Sequence, residues 1–306
     1  MKKLLLSGKY IRSLRLRTLP LSLSGVILGS LIAAADGFLS MEVFIFAILT
    51  TLSLQILANL ANELGDAQKG TDTAERLGPQ YSVQSGAVSV DELRKLIEVF
   101  VGLSLCFGFA LVWVAFGANW SALASPSFYI MLSLGALAVA AALGYTLGKR
   151  PYGYMALGDL GVFLFFGLLS VMGSYFLMAK ELHWSLILAA SGCGFLSVAV
   201  LNLNNMRDME QDRRTRLTIP VVLGLRNAKI YHTVLIAGSQ LLFLFFVINR
   251  TCYWTSFIFL IFVPLWVWHI TEVWKREGES LDKLFPSLSF GALIQCIILG
   301  LCTFHF

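Results

Sequence analysis

The chain alternates between long apolar runs and short polar segments. Nine runs are about twenty residues long, the length that an α-helix needs to cross the hydrocarbon core of a bilayer. Apolar residues are continuous within each run, whereas the strands of a membrane β-barrel would alternate polar and apolar positions. The predicted spans are approximately residues 18–35, 41–61, 96–117, 127–147, 159–178, 184–204, 230–248, 253–274 and 286–304.

Composition agrees with this pattern. Of the 306 residues, 57% are hydrophobic and 13% are charged, which is about half the charged fraction of a soluble domain. Because only helices and closed barrels satisfy every backbone polar group in lipid, we predict an all-α integral membrane protein with a single polytopic domain over residues 1–306. Ala33-Ala34-Ala35 resembles a signal-peptide cleavage site, but we expect the first span to be retained.

The basic residues divide unevenly between the two sides of the predicted bundle. With the amino terminus in the cytoplasm, all 23 lysines and arginines except Lys180 and Arg250 fall in cytoplasmic segments. This distribution follows the positive-inside rule. The five cysteines and four histidines show no metal-binding spacing, which argues against a zinc site.

Two of the cytoplasmic segments resemble each other. Each has an asparagine one helical turn before an aspartate, with a further aspartate soon after. The residues are Asn62, Asp66 and Asp72 in the first motif, and Asn204, Asp208 and Asp212 in the second. The motifs follow the second and sixth predicted spans, so their offset of four spans suggests an internal pseudo-repeat of spans 1–4 and 5–8.

The two motifs predict a magnesium site. Carboxylates at the end of a membrane helix are costly unless a cation neutralises them, and Mg²⁺ is commonly held by carboxylates together with substrate phosphates. We therefore expect the four aspartates to bind Mg²⁺, with the two asparagine amides as further ligands. Gly65 and Gly70 predict a bend that brings Asp66 and Asp72 together. The alternative is that the carboxylates cap loops or pair with the arginines of residues 213–216.

Cations on the same side extend the predicted site. We expect Arg207, Arg216 and Lys149 to clamp a diphosphate that Mg²⁺ bridges to the aspartates. If an allylic lipid carries this diphosphate, its departure leaves an allyl cation, which the apolar spans can shield from water. Lys149 and Arg150 also have a simpler explanation, since any cytoplasmic loop carries such membrane anchors.

Four stretches resemble the UbiA-type membrane prenyltransferases. They are residues 14–20, 59–72, 144–167 and 203–213. The spacing of Asp66 and Asp72 and the Tyr152-Gly153-Tyr154 loop are similar to the naphthoate branch of the family rather than to the 4-hydroxybenzoate, haem or chlorophyll branches. One stretch departs from the family pattern: Gly-Lys-x-Thr is replaced here by residues 215–218, so we expect Arg216 to take the place of the lysine.

The resemblance implies a nine-helix bundle in the bacterial cytoplasmic (inner) membrane, with a central cavity open to the cytoplasmic side. It also implies Mg²⁺-dependent transfer of a polyprenyl group from its diphosphate to 1,4-dihydroxy-2-naphthoate, with loss of CO₂, to give demethylmenaquinone. The four aspartates and Lys149 are then the catalytic candidates. Arg15, Arg17 and Tyr145 are candidates for contacts to the naphthoate or the diphosphate.

Two alternatives stay open at the sequence level. A sister prenyltransferase would act on another aromatic acceptor, such as 4-hydroxybenzoate. A cation-coupled transporter would use the carboxylates differently, but transporter sites usually lie near the bilayer midplane, and these motifs lie at span ends. Besides its two substrates we expect membrane lipid as a partner, and no nucleic acid.

Overall fold

The computed structural model describes residues 10–69, 82–83, 85–250 and 254–304. Within these ranges, nine helices are long and apolar enough to cross a membrane, which confirms the predicted all-α fold and its nine spans. Spans 1 to 9 are Ile11–Ala35, Met41–Lys69, Val90–Ala115, Pro126–Gly144, Gly158–Ala179, Leu186–Arg207, Leu225–Arg250, Trp254–Lys275 and Gly278–Leu301. We call the end of the bundle where span 1 begins and span 2 ends the motif end.

Several helices extend beyond their apolar runs at the motif end. Span 2 continues to Lys69, span 3 begins at Val90, and span 7 begins at Leu225. The early start of span 3 has a local cause, because Ser89 and Glu92 form a capping box. The Ser89 side chain accepts from the Glu92 backbone N–H at 3.2 Å, and the Glu92 carboxylate accepts from the Ser89 N–H at 2.9 Å.

The first motif lies within a helix as far as Asp66. Span 2 is helical through Gly65, so the bend predicted at that glycine is wrong; Gly70 lies outside the described residues. Gly65 instead permits a close approach of the loop after span 4. A Cβ at this position would lie 2.6 Å from the Cβ of Thr146, closer than side-chain carbons can pack.

Span 6 lies at the centre of the bundle and span 4 at its periphery. In span 6, about 72% of an 18-residue apolar stretch is buried inside the protein, compared with 11% of the corresponding stretch in span 4. The largest apolar core joins span 6 to spans 1, 5, 7, 8 and 9, while smaller clusters pack spans 2, 3 and 4 together. A cavity lies between these clusters and is lined mainly by spans 1 to 6.

Two loops meet at the motif end. A 3-10 turn, Tyr152–Tyr154, lies between spans 4 and 5, and the short helices Met209–Asp212 and Ile219–Leu223 lie between spans 6 and 7. A parallel β-bridge joins Met155 to Leu217. The Ala156 N–H donates to the Leu217 carbonyl at 2.9 Å, and the Leu217 N–H donates to the Tyr154 carbonyl at 3.1 Å. This loop bridge fixes the position of one loop relative to the other.

Candidate active site

The cavity has a volume of about 600 Å³ and a polar end at the motif end of the bundle. Nine of the site residues predicted from the sequence line it. They are Arg15, Arg17, Asn62, Asp66, Tyr145, Asn204, Arg207, Asp208 and Arg216. Because these residues come from both ends of the sequence, only the folded bundle brings them together.

Two further predicted residues lie outside the cavity lining, and a third falls outside the described residues. Asp212 is buried but is not part of the cavity lining. Lys149 is exposed and also does not line the cavity, so its assignment to the diphosphate stays a prediction. Asp72 lies outside the described residues.

The first motif presents Asp66 and Asn62 from the last turns of span 2. The Tyr154 hydroxyl donates to Asp66 Oδ1 at 2.6 Å, and Arg216 Nη1 lies 3.9 Å from the same oxygen. One turn earlier, Thr146 Oγ1 donates to Asn62 Oδ1 at 3.2 Å. The loop after span 4 therefore contacts both residues of this motif through side-chain hydrogen bonds.

The second motif spans the end of span 6 at Arg207, with Asn204 inside the helix and Asp208 and Asp212 after it. The Arg207 guanidinium donates two hydrogen bonds to Asp208, from Nε to Oδ1 at 2.8 Å and from Nη2 to Oδ2 at 2.6 Å. Arg216 Nε donates to Asp212 Oδ1 at 2.8 Å. Since Arg216 also approaches Asp66, this single cation contacts a carboxylate of each motif.

Burial controls the electrostatics of Asp212. Burial raises its pKa to about 6, an effect that Arg216 opposes and that the carboxylates of Asp208 and Asp66 reinforce. The three aspartates are thus close enough to interact electrostatically. Although burial lowers the pKa of Arg216, Asp212 and Asp66 raise it further, so the guanidinium stays charged.

The oxygen donors of the two motifs fit Mg²⁺. In the described part of the chain, no three carboxylate, imidazole or thiol side chains converge as a preformed metal cluster. However, Asp212 Oδ2 is buried and has no hydrogen-bond partner among the described residues. A buried carboxylate oxygen without a partner is unfavourable unless a cation neutralises it, and carboxylate and amide oxygens are ligands that Mg²⁺ takes.

Two residues at this site were not among those predicted from the sequence. Asp282, at the start of span 9, accepts from Arg17 Nη1 at 2.8 Å and from Arg207 Nη1. It therefore connects spans 1, 6 and 9 beneath the polar end of the cavity. Its one sequence signal is an acidic residue at a span boundary, which is costly unless it is paired. Tyr154 belongs to the loop that carries the family resemblance, but no feature of the sequence links it to Asp66.

Tyr145 lies against the same loop. Its carbonyl accepts from the Gly153 N–H at 3.0 Å, and its ring packs edge-on against Tyr152 with 5.3 Å between the centroids. A Cβ at Gly153 would lie 2.6 Å from the Tyr145 carbonyl oxygen, so the glycine is required for this packing. Burial raises the pKa of Tyr145 well above its usual range, so its hydroxyl stays protonated.

Away from the polar end, the cavity continues as an apolar arm. Its lining includes Leu105 and Phe109 of span 3, Leu134 and Gly135 of span 4, and Phe165 of span 5. Leu105 is 49% exposed and Phe109 is 51% exposed. The arm therefore reaches the outer, lipid-facing surface of the bundle.

Comparisons with known proteins agree with this architecture. The model of the UbiA prenyltransferase family matches residues 22–294. The chain is 43% identical to the 1,4-dihydroxy-2-naphthoate octaprenyltransferase of Escherichia coli, over 96% of this chain and 94% of that protein.

Solved structures show the same fold. A UbiA homologue from Aeropyrum pernix has a TM-score of 0.69 at 17% identity, covering 94% of this chain and 97% of that one. A homologue from Archaeoglobus fulgidus bound to DMAPP and Mg²⁺ has a TM-score of 0.60 at 16% identity, covering 92% and 98%. Taken with the motifs and the cavity, these matches show that the chain belongs to the UbiA prenyltransferase family.

Proposed function

We propose that this protein transfers a polyprenyl group from polyprenyl diphosphate to 1,4-dihydroxy-2-naphthoate in menaquinone synthesis. The observation that carries the proposal is the meeting of two aspartate motifs with Arg207 and Arg216 at the polar end of an otherwise apolar cavity. This arrangement suits a substrate with an anionic head and a hydrocarbon tail. The naphthoate acceptor is supported by the relative that carries this name and matches at 43% identity over almost the whole chain.

The head of the donor binds at the polar end. The metal ligands in this proposal are Asn62, Asp66, Asp72, Asn204, Asp208 and Asp212. When bound, Mg²⁺ stabilises the negative charge that builds on the departing diphosphate. The homologue from Archaeoglobus fulgidus, solved with DMAPP and Mg²⁺, supports Mg²⁺ and a prenyl diphosphate as the groups that bind here.

The arginines take part through an exchange of partners. Arg207 pairs with Asp208 and Arg216 with Asp212. A diphosphate gives the arginines a second acceptor, while Mg²⁺ gives the carboxylates a second cation. If only the diphosphate binds and draws the arginines away, the aspartates are left as unpaired buried charges; if only Mg²⁺ binds, the arginines are. Either case is costly, whereas binding of both groups leaves every charge paired. We therefore expect metal and diphosphate to bind cooperatively.

The chemistry breaks one bond and forms another. The bond between the allylic carbon and the diphosphate oxygen breaks, and its electron pair leaves with the diphosphate. The ring carbon that bears the carboxylate then attacks the allylic carbon, and loss of CO₂ returns an electron pair to the ring. No ring proton has to be removed, so the site needs no base at that carbon. The apolar arm keeps water away from the cationic allyl group.

The acceptor enters at the polar end in this proposal. Arg15 and Arg17 offer positive charge to the naphthoate carboxylate, and Tyr145 offers a protonated hydroxyl to a ring oxygen. The same arginines can instead contact the diphosphate. The distribution of lysines and arginines supports an orientation in the bacterial cytoplasmic membrane with the amino terminus and the motif end in the cytoplasm.

Product mass tests the proposal. Purified protein in lipid nanodiscs is given a polyprenyl diphosphate, Mg²⁺ and either 1,4-dihydroxy-2-naphthoate or 4-hydroxybenzoate. We expect the decarboxylated prenyl naphthoquinol, released diphosphate and CO₂ with the first acceptor only. Asp66→Ala and Asp208→Ala should each abolish the product. Transfer to 4-hydroxybenzoate alone would overturn the naphthoate assignment, and full turnover by either variant would overturn the metal assignment.

A further inference from the structure

Tyr154 contacts several parts of the candidate active site. Its hydroxyl donates to Asp66 Oδ1 at 2.6 Å, and its carbonyl accepts from the Leu217 N–H in the loop bridge at 3.1 Å. Leu217 directly follows Arg216, which itself approaches the same oxygen of Asp66. One residue thus contacts the first motif with its side chain and the segment after the second motif with its backbone.

The ring of Tyr154 also contacts two cations. Lys69 Nζ lies 4.1 Å from the ring centroid, and the Arg216 guanidinium carbon lies 5.9 Å from it. Both distances are within the range of cation–π attraction. The ring therefore holds two positive charges beside Asp66, and it does so from outside the cavity, because Tyr154 is not part of the cavity lining.

The loop holds Tyr154 in a fixed conformation. Ala156, two residues later, has φ of 57°, a left-handed conformation that costs a non-glycine residue free energy. The N–H of this same alanine donates to the Leu217 carbonyl at 2.9 Å. A strained residue persists where surrounding contacts determine its conformation, and here the loop bridge supplies those contacts.

We propose that Tyr154 is a positioning residue for the metal site, which holds the Asp66 carboxylate in the orientation that Mg²⁺ requires. The proposal rests on the proposed function, in which Asp66 is a metal ligand. A phenol that donates to one carboxylate oxygen fixes the plane of the carboxylate. Hydrogen bonds of this kind behind metal ligands typically change metal affinity by about 10- to 100-fold when they are removed.

Tyr154→Phe tests the proposal, since it removes the hydroxyl and keeps the ring between Lys69 and Arg216. Binding of Mn²⁺ to the purified full-length protein in nanodiscs is measured by electron paramagnetic resonance, with inorganic diphosphate present and no acceptor. We expect the half-saturating Mn²⁺ concentration to rise by about 10-fold or more. In turnover assays, the half-saturating Mg²⁺ concentration should rise by a similar factor, while the rate at saturating Mg²⁺ returns to near that of the unaltered protein.

Tyr175→Phe is the matched control. The Tyr175 hydroxyl donates to Asp36 Oδ2 at 2.7 Å, a nearly identical tyrosine–aspartate hydrogen bond, but at the end of the bundle opposite the motifs. We expect no change in metal affinity for this variant. An equal shift in both variants would show a general structural effect and overturn the proposal, as would an unchanged or tighter metal affinity in Tyr154→Phe.

A double variant tests whether Tyr154 acts through Asp66. If it does, adding Tyr154→Phe to Asp66→Asn should change Mn²⁺ affinity by less than about twofold, because the interaction is already lost. If Tyr154→Phe weakens Mn²⁺ binding as much in the Asp66→Asn background as in the unaltered protein, Tyr154 does not act through Asp66 and the proposal is overturned. The metal-binding measurement also separates the two proposals. If Tyr154→Phe weakens Mn²⁺ binding but the unaltered protein transfers no prenyl group to the naphthoate, only the proposed function is disproved.

Discussion

Asp282 organises the cations around the second motif. It accepts from Arg17 and Arg207, and Arg207 in turn pairs with Asp208. Arg207 is only 4% exposed, so its buried positive charge needs carboxylates such as these to balance it. Asp282 of span 9 thereby orients an arginine of span 6, although Asp282 belongs to neither motif.

Asp282→Asn should destabilise the protein and weaken diphosphate binding. The change removes a negative charge that helps to balance Arg207, and hydrogen bonds to charged groups contribute about 1.5–3 kcal/mol each. We expect a free-energy loss of this size in denaturant titrations, together with a higher KM for polyprenyl diphosphate. The control is Glu272→Gln, which disrupts an ion pair with Arg276 at the protein surface. Unchanged stability and KM in Asp282→Asn would contradict the assignment.

The raised pKa of Asp212 makes metal binding depend on pH. Burial raises this pKa to about 6, so below pH 6 the carboxylate is mostly protonated and Mg²⁺ has to displace a proton. We expect the half-saturating Mg²⁺ concentration to be constant above about pH 7 and to rise about tenfold per pH unit below 6. Lower pH has the opposite effect on folding stability. Because the pKa of Asp212 is higher in the folded than in the unfolded protein, protonation as pH falls through 6 stabilises the folded state.

Asp212→Asn provides the control for this pH dependence. The amide cannot titrate, so the variant should bind Mg²⁺ more weakly than the unaltered protein above about pH 6, without the steep rise in half-saturating Mg²⁺ concentration below pH 6. A pH dependence that is the same in the variant and in the unaltered protein would assign the titration to another group.

At the residue scale, the sequence predicts what the spacing determines. Asp66 and Asp208 follow from repeated spacing at span ends, and Arg207 follows from its charge on the same side. The structure brings all three to one cavity. Tyr154 and Asp282 do not follow from it, because their partners are distant in sequence. Neither a tyrosine in a loop nor a single acid before a span shows its partner until the helices pack.

At the element scale, the apolar runs predict the membrane-crossing parts of the helices and miss their polar ends. The prediction placed the end of span 2 at residue 61 and the start of span 7 at residue 230, whereas the helices extend to Lys69 and begin at Leu225. Hydropathy reports the lipid-facing length of a helix, but hydrogen bonding and caps decide where it stops. The bend expected at Gly65 fails for a related reason: the glycine is needed for packing against Thr146.

Gly135 of span 4 controls the width of the apolar arm. It lines the cavity, and no atom lies within 4 Å of where its Cβ would be. Gly135→Leu should therefore fold normally and fill part of the arm. We expect kcat/KM for a long polyprenyl diphosphate to fall by about tenfold or more relative to geranyl diphosphate, since even one misplaced methylene can cost 10-fold in a shaped pocket.

Gly102→Leu is the control for this change. Gly102 of span 3 also has no atom within 4 Å of a Cβ, but it does not line the cavity. Its substitution should leave the preference between long and short donors unchanged. An unaltered preference in Gly135→Leu would show that the prenyl chain follows another path.

At the scale of the whole molecule, the nine-span bundle follows directly from the sequence, while its internal symmetry does not. The motifs lie at the ends of spans 2 and 6, but equivalence of spans 1–4 and 5–8 stays a prediction. The spans differ strongly in their surroundings, since span 6 is central and span 4 is peripheral. Burial of this kind depends on the order in which helices pack, which apolar runs of equal length do not specify.

The proposed orientation predicts opposite labelling of two loops. In a variant without the five native cysteines, Lys149→Cys and Trp184→Cys each introduce one thiol in an exposed loop position. We expect an impermeant maleimide to label Trp184→Cys in right-side-out vesicles and Lys149→Cys only in inverted ones, as the positive-inside rule requires. Labelling of both from the same side would refute the nine-span topology.

The lipid-facing mouth of the apolar arm, at Leu105 and Phe109, determines which concentration governs turnover. A donor that reaches the protein by lateral diffusion is supplied in proportion to its mole fraction among the surrounding phospholipids. Its concentration in the total sample volume does not determine the supply. Diluting the bilayer with inert lipid should then slow the reaction even when the total quantity of every reagent is unchanged. The acceptor, which arrives from water, would show no such surface dilution.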